Sequence, residues 1–356
     1  FLRRGAGGKG DLRALGRVFG GQRQRLVQRR QVGRRAFAQH RKGGAPVCRI
    51  EVVVADNGDA ADTRFYDVHA DAAAVDVLRL QLLEDPAAQE GEASRTVLSV
   101  IMGMPSDGAV GFTDVGDRLV FDRQNPSAIA GALLAARENA RRARETLSTE
   151  LWEAINTTWH RWQGLGRQDV TSRHLSWARE RAALISGIAD STMSHDDAWH
   201  FLVLGRNLER ADMTARLVAT GGRPGSGAPW SVVLSSCGAQ QAFMRSQRGL
   251  HSDDRAAAFL VLDREFPRSV FYAMTKAEQH LATLDPHADR IGVSDEARRQ
   301  LGRVRTSLEF RATSEVLAEL PEQMLRVQQS VNGAAQAVAS RYFQAGPLPT
   351  WTEELV

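Results

Sequence analysis

The sequence predicts an all-α fold, a multi-helix bundle of long antiparallel helices, preceded by a basic leader with a weak hairpin signal. Three observations carry this reading. From residue 71 onward, apolar residues recur at helical spacing in one stretch after another. Residues that start or stop helices stand between those stretches, among them Pro86, Pro105 and the pair Asn125–Pro126. The connections are short, which sets successive helices side by side and antiparallel.

The elements follow in order. Residues 1–46 are rich in Arg, Gly and Gln, with apolar residues too scattered to define a face. Disorder is the physical expectation, because such a segment buries too little area to offset its ordering entropy. "IEVVVADNGDAADTRFYDV" then pairs a β-branched run with Asn57–Gly58 and a second mixed run, the hairpin signal. Helical spacing begins with "DAAAVDVLRLQLLED", which stops before Pro86, and "EGEASRTVLSVIMGM", which stops before Pro105. Residues 105–124, rich in Gly and Asp, read as an ordered loop. Asn125 and Pro126 form an N-cap and first-turn pair opening one long helix over 127–162. Further helices are expected over 171–188, 192–219, 230–247, 253–265, 267–284, 294–312 and 313–343. Pro267 is expected to begin one of them and Pro321 to kink or restart another. "TGGRPGSGAP" is the clearest connector. The organisation is therefore an atypical leader over 1–75, a helical domain over 76–345 in two halves joined near 220–229, and a tail over 346–356.

Composition excludes several classes. The hydrophobic fraction of 43% and charged fraction of 25% are those of a soluble globular protein, and a cytoplasmic location is expected. No apolar run of about 18 residues is present to span a bilayer, and no apolar stretch follows the basic N terminus as a secretory signal requires. Phe1 rather than Met opens the chain, so its true start is expected upstream. Cys48 and Cys237 stand far apart and read as unrelated thiols. Helical metal motifs, a Walker loop and a G-x-S-x-G elbow are all missing, so no metal and no cofactor is expected. Residues 1–43 hold thirteen Lys and Arg against Asp11 alone, a balance of +12; since the chain sums to +4, the other 313 residues carry −8. Nucleic-acid binding is accordingly a weaker idea confined to the leader, whose charge run lacks interleaved aromatics.

The segment "FLVLGRNLERADMTAR", 201–216, poses the functional question. At about 100° per residue its helix has two apolar sides. Leu204, Leu208, Ala211, Ala215 and Val218 form one stripe, and Trp199, Leu202, Val203, Met213 and Leu217 lie nearly opposite. Arg206, Glu209 and Arg210 fall within the second stripe, so these charges are expected to be at least partly desolvated and to need partners or a ligand. Asp212 and Arg216 read as a surface bridge nearer the helix edge, and His195 and His200 as solvated or capping residues.

The candidate site is a cleft in which Arg206, Arg210, Arg137, Arg141, Arg264 and Arg268 bind carboxylate or phosphate. Glu138, Glu150, Asp263 and Glu265 complete its lining, and Glu209 serves as general base or positions an amine. The competing reading has these charges only fixing helix register.

Several stretches carry a resemblance to a known family: "LQLLEDP", "DRQNPSAIAGALLAARENARRARETLSTELWEAIN", "GIADSTMSHD", "DDAWHFLVLGRNLERADMTAR" and "FLVLDREFPRSV". Over roughly 76–345 the chain resembles the bacterial alpha-E family, predominantly helical domains of uncertain activity. The resemblance implies an ATP-grasp ligase and a transglutaminase-like protein as partners, a peptide or amino-acid ligand, and a role in making or modifying a peptide. Family members also open with a first Gly-Arg-Tyr-x-Glu-Arg-Ala-Glu pattern, of which 205–212 matches the second copy. No first copy precedes residue 76 here, either because the N terminus has diverged or because the gene start is misassigned. Two functions compete: an accessory or catalytic component of such a system, and a non-enzymatic helical scaffold for a partner protein or peptide.

Overall fold

The computed structural model describes residues 94, 97–98, 110–125, 128–165, 172–221, 228–247, 251–285 and 291–342. The expected leader, hairpin and C-terminal tail, together with the first helix, nearly all of the second and residues 222–227 of the connector, lie outside the described residues.

Twelve α-helices stand among the described residues, α1 Phe112–Gly116, α2 Ile129–Arg142, α3 Thr149–Gln163, α4 Ser172–Thr192, α5 Asp197–Thr220, α6 Trp230–Ser236, α7 Gln240–Ser246, α8 Asp253–Leu262, α9 Val270–Leu284, α10 Glu296–Phe310, α11 Thr313–Ala318 and α12 Leu320–Tyr342, with one π-helical and one 3-10 turn between them. The fold is all-α, and no strand occurs among the described residues. Side-chain caps set many of the starts. Ser148, Asp196, Ser252, Ser269 and Asp295 each accept a backbone N–H from the first turn of α3, α5, α8, α9 and α10, a contact typically contributing about 1 kcal/mol.

The structure corrects several boundaries. The long helix over 127–162 is two helices, because the chain turns at Ala143 and Ser148 caps a new start. Asn125 is not its N-cap: its carbonyl accepts the Ala128 N–H, its side-chain amide donates to the Arg118 carbonyl, and α2 begins at Ile129. The loop over 105–124 contains α1 and a π-helical turn, Asp117–Phe121. The 230–247 helix breaks at Gly238, whose φ of 63° is the left-handed conformation that glycine tolerates. Ser269 rather than Pro267 opens α9, whereas the expected restart at Pro321 is present, with α11 ending at Ala318 and α12 beginning at Leu320.

Pairings across helices define the layout. The His200–His280 contact and the Thr214 hydroxyl on the Arg268 carbonyl make α5 and α9 antiparallel. Arg305 reaches Glu278 across α9 and α10, while Ser330 bonds the Gln300 carbonyl and Arg341 reaches Asp295 across α10 and α12. Arg137 to Asn156, and Arg181 to Thr158 with Ser148 to Thr192, align α2 with α3 and α3 with α4.

Helix α5 stands between two apolar cores. Phe201, Leu204, Leu208, Ala211, Ala215 and Val218 enter the large one, built with α9, α10 and α12. Leu202 and Val203 enter a smaller one with Ala140, Leu147, Leu151, Ile155, Ala189 and Met193, against which Trp199 also packs. The second stripe thus divides, since Met213 and Leu217 belong to the large core instead.

Close packing at the start of α2 generates a prediction. A Cβ on Gly131 would sit 2.0 Å from the Asn125 carbonyl oxygen, whereas one on Gly187 in α4 would meet nothing within 4 Å. In urea unfolding, Gly131→Ala should destabilise by about 1–3 kcal/mol, and Gly187→Ala should stabilise by roughly 0.5–1 kcal/mol.

Candidate functional site

The turn between α4 and α5 brings the last turn of α4 against the first two turns of α5. Trp199 and Arg206 lie seven residues apart, two turns along one face of α5, and a long helical side chain leans toward the N terminus. Both therefore reach Asp190. The two terminal nitrogens of Arg206 donate to the two oxygens of Asp190 at 3.1 and 3.0 Å, and the Trp199 indole N–H donates to Asp190 Oδ1 at 3.3 Å. Arg206 is 15% exposed at its side chain and Asp190 43%. The buried Arg206 Nε has no hydrogen-bond partner among the described residues.

Imidazoles surround this pair. His195 stacks on Trp199 with ring centroids 3.7 Å apart and planes 12° from parallel. His200 and His280 meet Nδ1 to Nδ1 at 2.8 Å, each edge-on to Trp199. One of the two rings must donate and the other accept. Burial, then the charges of His200, Lys276 and Arg206, hold His280 down to about 4, with Asp190 pulling the other way. His195 is exposed and its Nε2 meets the Asp190 carbonyl in the last turn of α4 at 3.3 Å, the solvated or capping role expected of it, whereas the expectation for His200 is corrected, since it is half-buried against His280.

Glu209 and Arg210 follow one turn further along α5, both half-buried and neither without an interaction. Asp212 and Arg216 are a buried pair, not a surface bridge: Arg216 Nε donates to Asp212 at 2.7 Å, with the side chains 5% and 4% exposed. Burial raises the Asp212 carboxyl above its ordinary range, and Arg216 opposes that rise. The reason for the error is that the C-terminal half of α5 is enclosed on nearly every side, so it has no wet edge.

The other candidate residues are spread over the molecule. Arg137 donates to Asn156 at 2.9 Å and to Glu138 at 2.8 Å, and Glu138 also receives Arg141. Glu150 is exposed in the first turn of α3, where its charge suits the helix dipole. Asp263 accepts the backbone N–H groups of Glu265 and Phe266, so it shapes a turn. Arg264 pairs with Glu309 at 3.0 Å and lies over the Phe271 ring, while Glu265 is exposed. Arg268 is half-buried, and its carbonyl accepts the Thr214 hydroxyl. Arg206 meets Asp190, while Arg137 and Arg141 meet Glu138 and Arg264 meets Glu309.

Asp190, Trp199 and His280 are the members that sequence reasoning missed. A helical hairpin turning near residue 194 sets position 190 opposite 199, a signal that the spacing carries only once the turn is placed between Thr192 and Asp197. Cys237 offers no nucleophile, since burial pushes its thiol up to about 12. No group of three or more His, Cys, Asp or Glu among the described residues is placed to hold a metal. No helix among them is long and apolar enough to cross a membrane.

The model of the Alpha-E family, a predicted α-helical domain with a conserved ER motif, matches residues 63–343. No curated protein and no solved structure matches. The sequence holds two Glu-Arg dipeptides, Glu180–Arg181 and Glu209–Arg210. In the first, Glu180 is exposed and Arg181 donates to the buried Thr158 hydroxyl at 2.9 Å.

Two outcomes follow from these charges. Arg216→Met leaves Asp212 enclosed without its partner and should lower the unfolding free energy by about 3–5 kcal/mol, read by denaturant titration. His280 is held neutral by the fold, so its contribution is full above about pH 6.5 and is lost as pH falls toward 4. Melting temperature should therefore drop more steeply over that window in the wild type than in His280→Gln, in which only the background carboxylates and remaining histidines titrate.

Proposed function

The chain belongs to the Alpha-E family, and from that premise we propose that it is an accessory component of an ATP-grasp-associated system that makes or modifies a peptide. Its part is to seat a peptide or amino acid through its charged ends. The observation that carries this reading is the placement of Arg206, Glu209 and Arg210 on one face of a helix otherwise enclosed by two apolar cores. Glu209–Arg210 fits the ER motif that describes the family. Guanidinium forks at 206 and 210 suit a carboxylate or phosphate. The Glu209 carboxylate suits an amine, whose proton it can accept. The ATP-grasp and transglutaminase-like partners come from the resemblance drawn from the sequence. Cys237 is buried, with its thiol pushed up to about 12, and so does not serve this seat as a nucleophile.

A second reading, a non-enzymatic helical scaffold for a partner protein, draws support from the ion pairs themselves. Arg206 with Asp190, Arg137 with Glu138 and Arg264 with Glu309 are satisfied within the chain and can fix helix register without any ligand.

Reconstitution with the ligase separates the two. Glu209→Gln should cut ATP-dependent product at least tenfold with an unchanged melting temperature if Glu209 handles the amine, the usual scale for a general base being about 10²–10⁴. Equal product from both proteins removes Glu209 from the mechanism. A lowered melting temperature with full turnover at saturating partner favours the scaffold.

A further inference from the structure

The Arg206–Asp190 pair is asymmetric in two respects. Arg206 is largely enclosed, whereas Asp190, in the last turn of α4, is the more exposed partner. A guanidinium also offers two edges to a carboxylate: end-on through its terminal nitrogens, and side-on through Nε and one of them. Asp190 takes only the first, and the buried Nε–H has no acceptor among the described residues. A buried donor left unmet disfavours the arrangement relative to one that satisfies it. Arg206 is thus held by the more exposed of the two partners, in a geometry that leaves one of its buried donors unmet.

We infer that Asp190 is a stand-in carboxylate, which keeps Arg206 in place until the free carboxylate end of a peptide or amino acid displaces it and takes the guanidinium through Nε. The inference rests on reading the 206–210 face as a ligand seat, and it needs no ligase. Charge favours a carboxylate over a phosphate. The guest takes the place of a carboxylate that Arg206 already holds by both terminal nitrogens, so a second planar, singly charged carboxylate matches the exchange where a doubly charged phosphate does not. Trp199 reports the exchange, because its indole N–H is bonded to Asp190 and its ring is stacked on His195. When the Asp190 side chain moves away, that hydrogen bond breaks.

The experiment uses the full chain and three probes: N-acetyl-alanyl-alanine, its C-terminal amide, and inorganic phosphate. Binding is followed by calorimetry and by tryptophan fluorescence. The free acid should bind and change the fluorescence, while the amide and phosphate should not. Asp190→Asn, which keeps the side-chain shape and removes the competing charge, should bind the acid about tenfold more tightly, as expected when the competent state no longer has to be uncovered. Arg206→Lys, which keeps the charge and loses the fork, should weaken it by about tenfold or more. Equal binding of acid and amide overturns the inference, as does phosphate binding as tightly as the acid. Acid binding no tighter in Asp190→Asn than in the wild type also overturns it, provided that variant melts within a few degrees of the wild type; a variant that has lost its fold is replaced by Asp190→Ser for the same comparison. Loss of the carboxylate exchange alongside a retained Glu209 effect on ligase turnover separates failure here from failure of the accessory role.

Discussion

A helix enclosed on nearly every side must neutralise its own charges, and that constraint shapes the rest of this molecule. Along α5 fifteen of 24 residues are buried, Asp212 and Arg216 among them. Water cannot solvate such groups, so each must find its counter-charge or its hydrogen bond within the protein. Asp212 and Arg216 solve this within one turn of their own helix. Arg206 solves it by reaching back to α4, which ties the α4–α5 turn to the body of the bundle.

The same logic runs outward with weaker stakes. Arg305 bridges Glu278 on α9 and Glu309 on α10, and Arg264 reaches Glu309 from the turn before α9. Arg341, at the end of α12, gathers Asp285 and Asp295 from either side of the α9–α10 connection. These pairs are part-exposed and individually worth little. Their value is geometric, since each joins elements far apart in sequence and sets one helix end against another.

The fold class was legible because burial imposes a 3.6-residue period on the sequence, although of the second stripe of α5 only Trp199, Leu202 and Val203 serve the smaller core. Boundaries were less legible. The break at 143–148 carries no proline or glycine, and only Ser148 marks it, a residue equally at home inside a surface helix. The error at Asp212–Arg216 came from treating an i,i+4 ion pair as a surface feature when nothing local distinguishes a wet helix edge from a buried one. The Arg206 partner escaped notice because Asp190 belongs to another helix, and its opposition to Trp199 depends on where the hairpin turns. Residues such as Arg137 and Arg264 follow helical spacing convincingly, yet spacing fixes only a face and not what that face meets.

One consequence of α5 supplying side chains to both cores is genetic. A shared wall has no seam, so neither core owns a complete boundary that recombination could carry elsewhere. Shuffling or fusion that respects this architecture has to move α1 through α12 as one inheritable block, since Val115, Leu119 and Val120 also enter the large core.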